Sequence, residues 1–198
     1  MSRSQCLGAL VALAVAGSSP LLLPSTAEAQ QGPPPCSQPE ASQFDFWLGS
    51  WEVRSNGQIA GHNTITREVG GCVLHERYTT PRGYAGESFN MYDASRGVWH
   101  QTWVDNGGLL LTLEGSFSGG RMIMEGTTVG PNGPARQRIT WSVIDEGPNV
   151  RQLWETSTDD GSTWTTAFDG TYVPVDPESP PESLRESSSV DSPGPIRP

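Results

Sequence analysis

Trp99-His100-Gln101-Thr102-Trp103-Val104-Asp105-Asn106-Gly107-Gly108-Leu109 is the stretch that decides the architecture of this chain. Its large side chains recur every second residue, the period of a strand with one buried face. The strand then runs into Asn-Gly-Gly, which supplies the positive φ angles of a tight turn. The same grammar extends in both directions. Strands are predicted over 51–55, 59–69, 72–80, 87–93, 98–105, 109–117, 121–128, 137–144, 150–157 and 163–173. Between them stand turn residues such as Asn56-Gly57, Gly70-Gly71, Ser118-Gly119-Gly120 and Pro131-Asn132-Gly133. Connections this short force sequential neighbours to pair antiparallel, because a parallel crossover needs a dozen residues or more. About ten strands joined in this way form a meander, and closing it removes both unpaired edges. The expected fold is all-β, an up-and-down antiparallel barrel of about ten strands; a two-sheet β-sandwich fits the same pattern. One short helix precedes it. Pro39 and Glu40 suit a first turn, Phe44, Trp47 and Leu48 follow at i, i+3, i+4, and Gly49 stops it.

The composition sets the limits of the domain. Of 17 prolines, 12 lie before Cys36 or after Val173, whereas 19 of 23 glycines and all 7 tryptophans lie between. Residues 36–173 therefore read as one globular domain. Residues 1–29 have a basic start at Arg3, an apolar stretch and Ala27-Glu28-Ala29, the layout of a secretory signal peptide. Residues 30–35 read as a linker, and residues 174–198 as a disordered acidic tail rich in Pro and Ser. Without the leader two cysteines remain, Cys36 and Cys72, with one possible pairing in an oxidising compartment. Such a disulfide would contribute on the order of 3 kcal/mol. The expected location is thus periplasmic or extracellular, with no integral membrane segment after cleavage of the leader.

All 12 basic residues are arginine, against 22 acidic ones, for a net charge of −10. Lysine-dependent chemistry is excluded by inventory, and the sign of the charge is wrong for nucleic acid. No sequence motif for a cofactor or phosphate is present, and His62, His75 and His100 show no spacing suited to a metal, so neither cofactor nor metal is expected. Ser157-Thr158-Asp159-Asp160-Gly161-Ser162-Thr163-Trp164 fits an Asp-box. A single copy is read as a turn.

Two resemblances follow from motifs. Gly49-x-Trp51 is similar to the G-x-W that opens the first strand of lipocalins and other calycins, where the Trp plugs one end of the barrel beneath an arginine. Arg138 or Arg151 is the expected partner. The blocks Phe44-Asp45-Phe46-Trp47-Leu48-Gly49, Gly70-Gly71-Cys72, Asn90-Met91-Tyr92-Asp93, Trp99 to Asp105 and Gln152-Leu153-Trp154-Glu155, in that order, resemble the DUF1579-like group of exported bacterial proteins. That resemblance implies a calycin-like barrel and carries no established reaction or ligand.

Alternation places Trp99, Gln101 and Trp103 on one side of their strand. Ile139, Trp141 and Val143 share a side of theirs, as do Gln152 and Trp154, and Trp164, Thr166, Phe168 and Tyr172. Turned inward, these residues either fill a core or line a cavity. The expected function is binding of a small apolar or aromatic molecule. Candidate ligand-binding residues are Trp99, Trp103, Trp141 and Trp154, with Gln101, Arg138, Glu155 and His100 as polar groups. Strict alternation turns Arg138 and Glu155 outward unless a bulge intervenes. The alternatives are a calycin-type isomerase or cyclase in which His100 or Glu155 moves a proton, and a filled-core interaction domain.

Overall fold

The computed structural model describes residues 34–144 and 147–175. The predicted leader, most of the linker and all but the first two residues of the tail lie outside them. Ten strands form one closed antiparallel barrel with sequential neighbours paired throughout. They are β1 (Gly49–Ser55), β2 (Gln58–Glu68), β3 (Val73–Thr79), β4 (Ala85–Asp93), β5 (Val98–Asp105), β6 (Leu110–Ser118), β7 (Arg121–Gly130), β8 (Gly133–Val143), β9 (Val150–Ser157) and β10 (Thr165–Pro174). β10 returns to pair with β1, Val53 opposite Tyr172, so no edge is left open. The barrel, not the sandwich, is the fold.

The expected helix is instead two 3₁₀ turns, Pro39–Ser42 and Asp45–Trp47. Phe44, between them, has φ −104° and ψ 9°, which breaks the α-helical path and turns its ring inward. The period of three in a 3₁₀ turn meets the Phe44–Trp47 spacing equally well. This segment plugs one end of the barrel. The Phe44 and Trp47 rings stack at 4.9 Å, and both pack against Trp141 from β8, at 5.2 and 5.5 Å. Cys36 and Cys72 are disulfide-bonded, with Cα atoms 5.2 Å apart, which ties the plug to the start of β3.

Trp51 does lie at the plugged end, but among the described residues no arginine covers it. Its Nε1 donates to the Trp47 carbonyl at 3.0 Å, and its ring meets Tyr172 edge-on at 6.2 Å. The arginines proposed as its partner are engaged elsewhere: Arg151 pairs with Asp169, and Arg138 lies over Trp164.

The turns follow the sequence grammar. Asn56 and Gly57 both take positive φ, 52° and 76°, as a two-residue type I′ hairpin needs. The Asp-box is a turn: Ser157 Oγ accepts the Gly161 amide at 2.8 Å, and Asp159 accepts from Thr163 Oγ1 at 2.6 Å. Pro131-Asn132 alone makes the β7–β8 turn, and Pro134 stands inside β8 opposite Val129.

Candidate functional site

The inward rows divide the barrel into two halves. Towards the plug, Trp99, Leu113, Met122, Met124, Trp141 and Val150 are buried and close-packed with Phe44 and Trp47. Towards the opposite end, where the β3–β4 and β9–β10 connections lie, a cavity of 270 Å³ opens. Its apolar wall is Trp103, Leu111, Ile139, Trp154 and Phe168, with Tyr84 and Thr80 from the β3–β4 connection. Gly86 makes room for one side of it, since a Cβ there would stand 2.2 Å from the Trp103 ring. Its inner wall is polar and is built around a carboxyl group, Glu76.

Glu76 sits on the inward row of β3 between Leu74 and Tyr78, and only 4 % of it is exposed. Neighbouring strands supply its partners by register. Asn63 on β2 donates from Nδ2 to Oε1 at 2.7 Å, and Ser88, directly opposite on β4, donates from Oγ to Oε2 at 2.6 Å. Ser88 in turn accepts from Asn90 Nδ2 at 2.8 Å, while Asn90 Oδ1 accepts from Gln101 Nε2 at 2.7 Å. On the other side Asn63 reaches the Tyr172 hydroxyl at 3.4 Å, and that hydroxyl donates to Gln152 Oε1. A continuous band of hydrogen bonds thus runs from β5 through β4, β3 and β2 to β10 and β9. Burial pushes the Glu76 carboxyl up to about 7, against the opposing pull of its two donors. Burial, and then the adjacent Glu76, also raise the Tyr172 phenol well above its ordinary value.

The structure sorts the residues named from sequence. Gln101, Trp103 and Trp154 line the cavity, and Trp154 is held by donation from Nε1 to Gln137 at 2.7 Å. Trp99 and Trp141 point inward but belong to the filled half, where both are fully buried. His100, Arg138 and Glu155 do not reach the cavity. Each neighbours an inward residue on a regular strand, so alternation turns it to the outer face. His100 lies against Glu114 at 3.2 Å and Thr102 at 2.9 Å. Arg138 binds Glu155 at 2.9 Å and stacks on Trp164 at 4.0 Å from the ring centroid.

Three inward assignments also fail. In β10 a bulge between Thr166 and Phe168 inserts Ala167 and shifts the phase, so Trp164 and Thr166 face outward while Phe168 and Tyr172 face inward. Val143 ends β8 half-exposed, past the core.

The outer placement is testable. Arg138→Ala should lower stability by about 1 kcal/mol, the scale of one partly exposed ion pair with a cation–π contact, and leave binding of small aromatic probes unchanged. Urea melts and a probe titration measure both; a lost affinity at unchanged stability would put Arg138 in the site.

Among the described residues no three His, Cys, Asp or Glu side chains group as metal ligands, and no helix is long and apolar enough to cross a membrane. No known protein-family model matches the chain, and no curated protein is significantly similar to it in sequence.

Proposed function

We propose that the protein is an exported binding barrel of the DUF1579-like group that holds a small, mostly apolar or aromatic molecule in the cavity between Trp103, Trp154 and Phe168. The observation that carries this reading is the cavity itself. It is concave and aromatic-walled, it has convergent polar groups at its inner end, and its volume approaches that of small-molecule sites. The half-filled barrel explains how the chain combines stability with an open site: the plugged end supplies the core, and the other end is left free. Export is supported by the arrangement of residues 1–29 and by the Cys36–Cys72 bond, which persists in oxidising compartments.

Tryptophan fluorescence tests the reading, because Trp103 and Trp154 form opposite parts of the wall. Titration with a panel of small lipids and aromatic compounds should quench or blue-shift the emission for at least one class. Trp103→Phe should remove a large part of that change. If every compound left the spectrum unaltered at saturating concentration, the binding function would be rejected.

A further inference from the structure

We infer that the cavity is built for a ligand carrying a protonated amine, with the ammonium group on Glu76 and its apolar body against Trp103, Trp154 and Phe168. The inference rests on the binding function just proposed and names its ligand class.

Charge selects that class. Among the described residues lining the cavity Glu76 is the only acid, and there is no arginine or histidine to neutralise it. The chain has no lysine at all. The titratable groups turned towards Glu76 are two phenols, Tyr78 on its own strand and Tyr172 from β10, and β2 and β4 face it with Asn63, Ile65, Ser88 and Asn90. A buried carboxylate without a cation is strongly disfavoured and takes up a proton instead, so above about pH 7, where Glu76 ionises, the cavity lacks one positive charge. An anionic ligand would add repulsion, and a neutral one would leave the charge unpaired. An ammonium supplies it.

The hydrogen-bonding inventory agrees. Asn63 and Ser88 each occupy one side of one carboxylate oxygen, which leaves lone pairs on both for an incoming N–H. Gln101 commits its amide nitrogen to Asn90, so its carbonyl oxygen remains as a second acceptor on the same wall. Aromatic faces complete the site, since Trp103, Trp154, Phe168 and Tyr84 surround the remaining volume and attract a cation as well as an aryl group. The raised affinity of Glu76 for its own proton fits a carboxyl that waits for a cation.

Three probes of one shape separate the possibilities: phenethylamine, phenethyl alcohol and phenylacetate, titrated calorimetrically at about pH 8, where Glu76 is ionised. The amine should bind at least about tenfold more tightly than the alcohol, the worth of a charge-assisted contact, and phenylacetate should bind weakest. Glu76→Gln should abolish the amine's advantage and leave the alcohol within about threefold. In that variant the amide oxygen can keep the bond from Asn63 Nδ2, and the amide nitrogen can donate to Ser88 Oγ.

A second measurement needs no variant. Near pH 7, binding of phenethylamine should release about half a proton, read from the dependence of the heat on the buffer's ionisation enthalpy, and binding of the alcohol should release none. Equal affinities for amine and alcohol, or amine binding without proton release, would overturn the ammonium site while leaving a binding barrel. If none of the three probes binds, the ammonium site falls, and the fluorescence panel of lipids and aromatic compounds decides the binding function separately.

Discussion

The free energy of unfolding should fall by about 3 kcal/mol as pH rises from 4.5 to about 7, and Glu76→Gln should remove that fall. In the folded protein Glu76 keeps its proton up to about pH 7, whereas in the unfolded chain it loses it near 4.5. Between these values the native state binds more protons, so raising the pH favours unfolding. The stabilisation is complete below about 4.5 and is lost as pH passes through 7. At 1.36 kcal/mol per pH unit, two to three units give the stated size. Most other shifted carboxylates have the opposite sign. Thr163 holds Asp159 down to about 2, Arg96 holds Glu114 below its usual range, and Arg151 does the same for Asp169. Their contributions disappear only on acidification below about pH 4, outside this window. Stability should therefore peak near pH 5, on the acid side of neutrality. Urea melts of wild type and Glu76→Gln across the range decide it. Parallel pH profiles would show that Glu76 is not held as a buried acid.

A ligand that pairs with the carboxylate changes this balance directly. Above pH 7 the empty barrel bears the cost of an unneutralised buried charge, and a bound ammonium would offset it. Stability and binding are thus two readouts of one group. A stabilising amine should raise the unfolding midpoint more at about pH 8 than at about pH 5, because the excess proton must first leave at the lower value.

The barrel was legible in the sequence because its information is local. Asn56-Gly57, Gly119-Gly120 and Gly107-Gly108 each state a turn within a few residues, and the period of two does not depend on distant contacts. The inward faces of β5 and β9 were legible for the same reason. β10 was not, because the bulge at Ala167 is set by its pairing with β9 and leaves no mark in the alternation. Glu76 is not marked within its own strand, because one carboxylate in a strand usually faces water. The signal that would have found it lies across strands: Glu76 shares a row with Leu74 and Tyr78, and the facing rows of β2 and β4 carry Asn63, Ser88 and Asn90. Three adjacent rows with polar residues at one level are the sign of an interior site rather than of a solvated face. His100, Arg138 and Glu155 carry reactive groups, but the alternation that turns them outward carries more information than their reactivity.

Replacing Trp47 by alanine should be the most damaging single change in the domain, with a loss of about 3–5 kcal/mol. Trp47 is fully buried, stacks on Phe44, meets Trp141 at 5.5 Å and Tyr172 at 6.3 Å, and closes the end of the barrel from a segment with almost no regular structure of its own. Removal of the indole leaves a void that rigid strands cannot collapse around, and the plug loses the ring that anchors it. Trp103→Ala offers the contrast. Its ring borders the cavity, so truncation enlarges a space that already exists, and the cost should be less than half as large. Probe binding should respond in the reverse order, lost in Trp103→Ala and retained in Trp47→Ala wherever that variant is still folded. Denaturant melts and probe titrations of the two variants measure both orders. If the two truncations destabilised equally, the division of this barrel into a filled half and a hollow half would be wrong, and with it the reason for placing a ligand at the Trp103 end.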